Sequence, residues 1–233
     1  MLIWVSALLR GSVRWACRLF LGWLVLCCAL ILLFRWVPVP FTAVMLEQAF
    51  FSRSGWQHQW VPYERISDSL KLAVIASEDQ RFPWHHGFDT QQMADAWQAW
   101  QDGRSLRGAS TISQQTAKNL LLWSHSDWLR KGLEVPLTAV IELSWPKQRI
   151  LEVYLNSAEW DSGVYGVEAA ARHYFHTSAQ TLTQEQAVRL AAVLPAPRVW
   201  NPVRPDARVQ QRIRWILTQM TLMGGKTYLH SLQ

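Results

Sequence analysis

A long apolar stretch near the N-terminus limits what this chain can fold into more than any other feature of its sequence. No charged residue occurs from Leu19 to Phe34, and with its flanks the stretch covers residues 15–37. About 20 residues of this kind are enough to span a bilayer as a helix. Three arginines precede the stretch and only Arg35 follows it closely. The positive-inside rule therefore predicts a cytoplasmic N-terminus, residues 1–14, and an external remainder.

A cleaved signal peptide is the alternative interpretation of this stretch. Its apolar core is longer than that of most signal peptides, and no cleavage site of small residues follows it before Pro38. We therefore expect an uncleaved single-pass anchor over residues 15–37, a linker over residues 38–65 and a folded domain over residues 66–233.

The distribution of charge argues against nucleic-acid binding. The chain has 23 lysines and arginines against 17 aspartates and glutamates, a net charge of +6. Four of these bases and no acid lie in residues 1–37, which leaves the folded part almost neutral. A nucleic-acid-binding domain would carry its excess charge on its own surface. All three cysteines, at positions 17, 27 and 28, lie in or beside the anchor, so we expect no disulfide in the folded domain.

The folded domain is predicted to be mainly α-helical, because its apolar residues recur at helical spacing and no run alternates as in a strand. Serine or threonine before such a run is an N-cap signal, and glutamine three residues later completes a capping box. Proline is also favoured in the first turn. These signals predict helix starts at Ser67, Thr90, Thr111 with Gln114, Pro146, and Thr183 with Gln186. Pro136 is expected to kink or interrupt its helix, and residues 104–108 form a small basic loop.

The first candidate for catalysis is a pair of adjacent carboxylates, Glu78 and Asp79. They follow an apolar, alanine-rich run that begins at Leu72, and Pro83 stops the helix soon after them. Burial disfavours the charged form of a carboxyl group and raises its pKa, which suits an acid for proton transfer near neutral pH. Glu78 is therefore our candidate for the catalytic carboxylate. The alternative is a structural acid paired with a neighbour such as Arg81.

The second candidate cluster lies on the helix that begins after Thr111. Gln115 and Lys118 follow at intervals that allow all three side chains to share one helix face. The free N–H groups at the start of this helix can also bind an anion. Polar residues on one face of an otherwise apolar helix indicate a lined cleft, with a solvated surface as the alternative.

The third cluster contains Arg130, Lys131 and Glu134. Residues three and four apart are neighbours on a helix, and a surface salt bridge that contributes little to stability is one interpretation. The other is a cationic pocket for a phosphate-bearing group, with Glu134 as a second carboxylate opposite Glu78. Glycosyl chemistry by a two-carboxylate route needs two acids that flank the scissile bond.

These residues lie in segments that resemble, in order and spacing, the five motifs of the family 51 peptidoglycan glycosyltransferases: EDQRFPWHHGFD, GASTISQQTAKN, RKGLE, KQRILEVYLN and AAARHYF. The resemblance extends from about Ile66 to Pro202. The form of the second motif and the short chain are similar to those of the monofunctional transglycosylase branch. It implies a mainly α, lysozyme-like helical domain with a membrane-associated hydrophobic subdomain.

The activity that the resemblance implies is polymerisation of lipid II, a disaccharide-pentapeptide on undecaprenyl diphosphate, into β-1,4-linked glycan. The growing lipid-linked strand would be the donor and lipid II the acceptor. Glu78 matches the general base that takes a proton from the acceptor's 4-hydroxyl group in an inverting displacement. Glu134 matches a second essential carboxylate near the donor diphosphate, which acts with or without a bound divalent cation, Mg²⁺ or Mn²⁺.

The motifs also imply a set of residues that bind the substrate. These are Asp79, Phe82, His85, Gly87, Ser110, Thr111, Gln114, Gln115, Lys118, Asn119, Arg130 and Lys131. Lys118, Arg130 and Lys131 would hold the diphosphate, since the forked guanidinium group of arginine and the compact charge of lysine both suit phosphate. The sequence departs from the family pattern at Ala109, where many relatives have glycine, and at Pro136.

The implied location is the bacterial inner membrane, with the catalytic domain in the periplasm. Tryptophan favours the membrane interface, so Trp97, Trp100, Trp123 and Trp128 are candidates for a membrane-dipping surface, with core burial as the alternative for each. The implied partners are lipid II, the lipid-linked glycan, the membrane and proteins of cell division or cell-wall synthesis. Two other functions stay open: a lysozyme-like enzyme that cleaves finished glycan, and a non-catalytic scaffold of cell-wall assembly.

Overall fold

The computed structural model describes residues 2–52, 55–103 and 110–232, with side chains described from residue 14 onward except at residue 52. The chain forms two compact units, Met1–Val37 and Pro38–Gln233. The basic loop expected at residues 104–108 and the unusual Ala109 lie outside the described residues.

The first unit is built on a single helix, α1 (Leu2–Phe34). Its segment Arg14–Phe34 is long and apolar enough to cross a membrane, which agrees with the predicted single-pass anchor. The helix begins well before the predicted span and ends at Phe34 rather than at residue 37, so the last residues of the predicted span are not helical.

The second unit is mainly helical, as predicted. Its α-helices are α2 (Ala43–Ser52), α3 (Asp68–Glu78), α4 (Thr90–Gln101), α5 (Ile112–Leu121), α6 (Trp128–Ser144), α7 (Lys147–Ser157), α8 (Val167–Phe175), α9 (Gln184–Val193) and α10 (Ala207–Leu222), and 3₁₀ helices cover Tyr63–Arg65 and Gly225–Leu232.

Helix α3 lies at the centre of this unit. Every residue from Ser69 to Ala76 is buried, as expected for a helix that is largely apolar on all sides. The charged residue in this run, Lys71, pairs with Asp68 at 3.0 Å and places its ammonium group 4.0 Å from the centre of the Tyr63 ring. Helices α9 and α10 and the C-terminal 3₁₀ helix pack against α3, while α6 and α7 pack against α5. The end of α3 that bears Glu78 is therefore held by C-terminal elements.

The predicted helix starts are confirmed with one exception. Ser67 caps α3, Thr111 and Thr183 form complete capping boxes with Gln114 and Gln186, and Pro146 directly precedes α7. The exception is α4, where Asp89 rather than Thr90 is the N-cap and accepts a hydrogen bond from the Gln92 N–H at 2.9 Å. Aspartate is the stronger N-cap of the two residue types, so the helix begins one residue earlier than predicted.

Three short strands form a small sheet. Strand β1 (Gln57–His58) pairs in parallel with β3 (Val164–Tyr165), and β3 pairs antiparallel with β2 (Glu159–Asp161). The turn between β2 and β3 contains Gly163 at φ +75°, a conformation that glycine adopts without strain. Strands of two or three residues cannot show an alternating pattern, which explains why the sequence did not indicate them.

Pro136 does not interrupt its helix. Helix α6 continues through it from Trp128 to Ser144. Proline cannot donate the hydrogen bond to the carbonyl four residues earlier, and that carbonyl belongs to Gly132. Gly132 is exposed, so water can satisfy its carbonyl group. The expected interruption was therefore wrong, while the alternative of a kink at Pro136 stays a prediction.

Three of the four tryptophans that the sequence offered as interfacial candidates are exposed. Trp97 and Trp100 lie on α4, a helix with no buried residue, and Trp128 is 93% exposed at the start of α6. Trp123 is partly buried and donates its indole N–H to Asp127 at 2.6 Å. Core burial therefore does not account for the first three.

Asn156 connects the linker (residues 38–65) to α7 through hydrogen bonds. Its Oδ1 accepts the Val61 N–H at 2.9 Å, and its Nδ2 donates to the Val61 carbonyl at 2.9 Å and to the Glu152 carbonyl at 2.8 Å. Both Asn156 and Val61 are buried, so one amide side chain satisfies both backbone groups of a residue that is 95 positions away.

We expect Asn156→Ala to lower the free energy of unfolding by about 2–4 kcal/mol, because each buried polar group left unpaired costs about 1–3 kcal/mol. Urea unfolding of the full chain in detergent, followed by far-UV circular dichroism, measures this loss. Asn201→Ala is the control, since Asn201 accepts hydrogen bonds from Val203 and Arg204 in an exposed turn and its loss should cost less than about 1 kcal/mol. Equal losses in the two variants would contradict the expectation.

Candidate active site

Asp79 connects the end of α3 to the start of α5. It is almost fully buried, and its carboxylate accepts the Ile112 N–H at 3.0 Å and the His85 Nε2–H at 2.9 Å. His85 Nδ1 accepts the Gly87 N–H at 3.2 Å, so the ring proton lies on Nε2 and points at Asp79. The carboxylate next to Glu78 thus satisfies one of the free N–H groups at the N-terminus of α5.

Gly87 brings this loop against α6. Its φ angle is +87°, and a Cβ atom there would lie 2.8 Å from Thr138 Cγ2 and 3.1 Å from Glu142 Cγ. The Gly87 carbonyl accepts the Thr111 hydroxyl at 2.7 Å. Glycine is required here both for the left-handed backbone and for the close approach to α6.

Lys147 supports the same loop from α7. Its ammonium group donates to the His85 carbonyl at 2.6 Å and to Glu142 at 2.8 Å, and lies 4.6 Å from the centre of the buried Phe82 ring. Ser113 also donates to Glu142. The first motif is therefore a buried framework beneath Glu78, joined to three other helices.

Polar groups surround Glu78, although the run that precedes it in the sequence is apolar. Its Oε1 accepts hydrogen bonds from Ser77 Oγ at 3.0 Å and from Arg212 Nη2 at 3.1 Å, and its Oε2 accepts one from Gln115 Nε2 at 3.2 Å. The Glu78 side chain is 13% exposed. Three donors, one of them a cation, match a carboxylate anion in a mostly enclosed position.

The amide of Gln115 is oriented by Tyr154. The Tyr154 hydroxyl donates to Gln115 Oε1 at 3.2 Å, so the amide nitrogen faces Glu78. Burial, and to a lesser extent the charge of Glu78, raises the pKa of Tyr154 well above its ordinary value. The phenol therefore keeps its proton and acts as the donor of this pair.

Glu134 is buried between two cations of its own helix. It is 2% exposed, accepts a hydrogen bond from Arg130 Nη1 at 2.8 Å and pairs with Lys131. Arg130 Nε also donates to the His125 carbonyl at 2.9 Å, and Lys131 donates to Ser110 Oγ at 3.2 Å. The interpretation of these residues as a weak surface salt bridge is excluded, because the carboxylate is out of solvent.

Lys118 is the base of this cluster that has no carboxylate partner. Among the described residues its ammonium group forms no hydrogen bond or ion pair. Burial lowers the pKa of Lys118 below its ordinary value, the charges of Arg130 and Lys131 lower it further, and Glu134 opposes the shift. The cluster thus holds a partly dehydrated cation that an incoming anion would stabilise.

Helix α5 links the two carboxylates. Gln115 contacts Glu78, and Lys118, three residues later, lies within the electrostatic reach of Glu134. Residues three apart on a helix lie on one face. Glu78 and Glu134 therefore approach the same face of α5, and on the side of Glu134 lies Lys118, a cation without a partner in the described part of the chain.

The predicted substrate-binding residues fall into two groups. Gln115 bonds Glu78, Arg130 and Lys131 pair with Glu134, Ser110 bonds Lys131, and Lys118 lies near this second group. The others have buried positions in the framework or along α5: Asp79, Phe82, His85, Gly87, Thr111, Gln114 and Asn119. Their contact with substrate stays a prediction.

The residues around Glu134 do not suit a divalent cation. Mg²⁺ prefers six oxygen ligands and tolerates little distortion, whereas both oxygens of Glu134 contact cationic side chains. Among the described residues no group of three or more histidine, cysteine, aspartate or glutamate side chains could hold a metal ion. The metal site expected at Glu134 therefore stays a prediction without support from its donor set.

Sequence reasoning missed three residues of the site. Arg212 comes from α10 and is 134 positions away from Glu78, Tyr154 lies in the KQRILEVYLN motif, and Glu159 acts electrostatically on Lys118 while pairing with Arg198 at 3.0 Å. The motif that contains Tyr154 could have drawn attention to it. No local pattern distinguishes Arg212 from the other arginines of α10.

A helical domain in which two enclosed carboxylates approach one helix face beside a group of cations is the arrangement of an enzyme of glycosyl chemistry. The chain matches the family model described as Transglycosylase over residues 45–221, and it belongs to that family. Membership makes it a glycosyltransferase enzyme and confirms the resemblance drawn from its motifs.

Several curated proteins are similar to this chain over most of its length. The biosynthetic peptidoglycan transglycosylase of Chromohalobacter salexigens is 56% identical over 96% of this chain and 98% of its own length. The protein of the same name from Pseudomonas fluorescens SBW25 is 56% identical over 86% of this chain and 85% of its own length. The protein of the same name from Ectopseudomonas mendocina is 52% identical over 97% of this chain and 96% of its own length.

We expect Gly87→Ala to lower the free energy of unfolding by roughly 2–4 kcal/mol, since a left-handed backbone costs about 1–2 kcal/mol and overpacking against Thr138 adds about 1–3 kcal/mol. Thermal unfolding in detergent measures it. Gly103→Ala is the matched control, because Gly103 has φ +74° and no atom of the described residues lies within 4 Å of its added Cβ. If both variants lose the same stability, the contact with α6 has no role.

Proposed function

We propose that this chain polymerises lipid II into β-1,4-linked glycan strands by inverting transfer, with release of undecaprenyl diphosphate. The family and the names of the relatives confirm, at a coarser level, the prediction of a glycosyltransferase of peptidoglycan synthesis. The observation that supports the finer proposal is the approach of Glu78 and Glu134 to one face of α5, where Lys118 has no ion-pair partner among the described residues.

Glu78 is the general base of the proposed reaction. Oxygen 4 of the acceptor sugar attacks the anomeric carbon of the donor as its proton passes to Glu78, and the bond from that carbon to the diphosphate breaks. A positioned carboxylate typically accelerates such a step by about 10²–10⁴-fold. Three donors, Ser77, Gln115 and Arg212, hold the carboxylate of Glu78 in place for this step.

Lys118, Arg130 and Lys131 hold the diphosphate that leaves. Together with Glu134 these side chains have two positive charges in excess, which suits a diphosphate group. A carboxylate would repel this leaving group, so we assign to Glu134 the task of fixing Arg130 and Lys131, with which it pairs. No step of the proposal passes through a metal ion.

The location and partners follow from the anchor and the substrate. The arginines that precede the uncharged stretch Leu19–Phe34 support a cytoplasmic N-terminus and a periplasmic catalytic domain at the inner membrane. The exposed Trp97, Trp100 and Trp128 support contact of the domain with the lipid interface. Proteins of cell division or cell-wall synthesis stay predicted partners.

The two alternatives are weaker. An enzyme that cleaves finished glycan acts on a neutral glycosidic bond and needs no group of cations beside the second carboxylate. A non-catalytic scaffold needs neither a partly dehydrated Lys118 beside two other cations nor a general base held by three donors.

We expect Glu78→Gln to lower the rate of glycan polymerisation from purified lipid II by about 10²–10⁴-fold, because the amide cannot accept the proton. Gel analysis of fluorescent lipid II products measures the rate. Glu185→Gln is the control, since Glu185 is an exposed acid that pairs with Arg189. An inactive parent chain, or a fully active Glu78 variant, would refute the proposed function; release of fragments from finished glycan would favour the hydrolase.

We expect Lys118→Met to lower kcat/KM for the lipid-linked donor by roughly 10–100-fold, the worth of a hydrogen bond to a charged group. Because burial lowers the pKa of Lys118, the ammonium loses its proton at a lower pH than an ordinary lysine. Activity should therefore fall at alkaline pH in the parent, and Lys118→Arg should retain activity to higher pH. Lys226→Met, a change at an exposed lysine, is the control; parental kcat/KM in Lys118→Met would contradict this role.

A further inference from the structure

The geometry points to Arg212 as the residue that decides which oxygen of Glu78 acts as the base. Arg212 occupies Oε1 and leaves Oε2 as the oxygen that takes the proton from the acceptor. The inference rests on the proposed function and adds to it a positioning residue from α10.

Arg212 holds Glu78 through a single nitrogen. Its Nη2 donates to Glu78 Oε1 at 3.1 Å, to Ser77 Oγ at 2.7 Å and, more weakly, to the Ser77 carbonyl at 3.4 Å. Ser77 Oγ in turn donates to Glu78 Oε1 at 3.0 Å, with the Ala191 carbonyl as a more distant acceptor at 3.3 Å. The guanidinium group, the hydroxyl group and Oε1 therefore form a closed triangle.

The two oxygens of Glu78 differ in their free acceptor positions. A carboxylate oxygen has two lone-pair sites. Both sites of Oε1 receive donors, one from Arg212 and one from Ser77, whereas Oε2 receives only Gln115 Nε2 at 3.2 Å. Within the described part of the chain, Oε2 keeps the vacant site, so an acceptor hydroxyl group forms its hydrogen bond there.

The buried position of Arg212 includes a feature that is unfavourable for the stability of the fold. Its Nε is buried and has no hydrogen-bond partner among the described residues, which is unfavourable for a polar group. Its guanidinium group lies 5.8 Å from the centre of the Trp215 ring. The side chains of Arg212 and Glu78 are 25% and 13% exposed, so solvent screens their attraction only in part.

The proton balance is consistent with this assignment. The O–H bond of the acceptor 4-hydroxyl breaks and its proton goes to Oε2, the new bond forms from oxygen 4 to the anomeric carbon, and the electron pair of the old bond leaves with the diphosphate. Arg212 keeps its charge throughout, and Oε1 remains its acceptor after Glu78 becomes neutral. Without Arg212 only the neutral donors Ser77 and Gln115 hold the carboxylate, so the position of its basic oxygen is less well fixed.

The test compares Arg212→Gln, Arg212→Lys and the control Arg214→Gln in the full chain, with lipid II as substrate. Arg214 has the same charge on the same helix but is exposed. We expect Arg212→Gln to lower kcat roughly 100-fold, the effect of a misplaced reacting group, with KM changed less than about threefold. Arg212→Lys should recover about tenfold of this loss, and Arg214→Gln should match the parent within about twofold.

A second readout separates positioning from folding. The titratable or charged groups that face Glu78 among the described residues are Arg212 from α10, Tyr154 from α7 and the adjacent Asp79. Loss of the cation disfavours the anion, so the acid-side midpoint of the pH–rate profile should move to higher pH in Arg212→Gln and stay unchanged in Arg214→Gln. Thermal unfolding shows whether each variant is folded. If Arg212→Gln is unfolded, kcat and the pH midpoint of Arg212→Lys decide the test.

The outcomes distinguish this inference from the function on which it rests. A parent chain that forms no polymer overturns the proposed function and the inference with it. An active parent whose folded Arg212→Gln variant keeps kcat within about threefold overturns the inference alone. A higher KM without a change in kcat or in the pH midpoint also overturns it, because Arg212 would then act on substrate binding.

Discussion

The buried carboxylate of Asp79 is the interaction on which the rest of the site depends. It ends α3 directly after Glu78 and accepts the Ile112 N–H at the start of α5. A buried anion is tolerated only with donors around it, and His85 and Ile112 supply them. The helix that bears the base is therefore joined to the helix that bears Gln115 and Lys118. Removal of this contact would separate the base from its cleft.

The charges of the site are arranged in two parts along α5. Near Glu78, Arg212 and neutral donors stabilise an anion that can take a proton. Near Glu134, three cations outnumber the carboxylate and can receive a diphosphate. In the proposed reaction a proton reaches one part while negative charge reaches the other. Such preorganised charge contributes strongly to catalysis in enclosed sites, because it needs no reorganisation during the reaction.

Much of the site could be predicted where its residues are close in sequence. The relation of Arg130 and Lys131 to Glu134 follows from helical spacing, and the capping box of Thr111 and Gln114 is visible from residue types alone. Helical spacing alone could not show whether these side chains are buried or exposed. The pattern allowed Arg130–Glu134 to be a surface pair, and only packing of α6 against α5 showed that Glu134 is enclosed. The apolar run before Glu78 gave no sign of its polar surroundings, because Gln115 and Arg212 reach it from helices distant in sequence.

The sequence by itself determined the anchor, the helical class of the domain, four of the five helix starts that were predicted and the motifs that identify its family, because these depend on interactions within a few residues. Only the tertiary structure decided that Arg212 meets Glu78, that Tyr154 orients Gln115 and that Asn156 fastens the linker to α7. Those partners are 134, 39 and 95 positions apart. Local patterns contain no information about such distances, since it is the packing of buried helices that brings their side chains together.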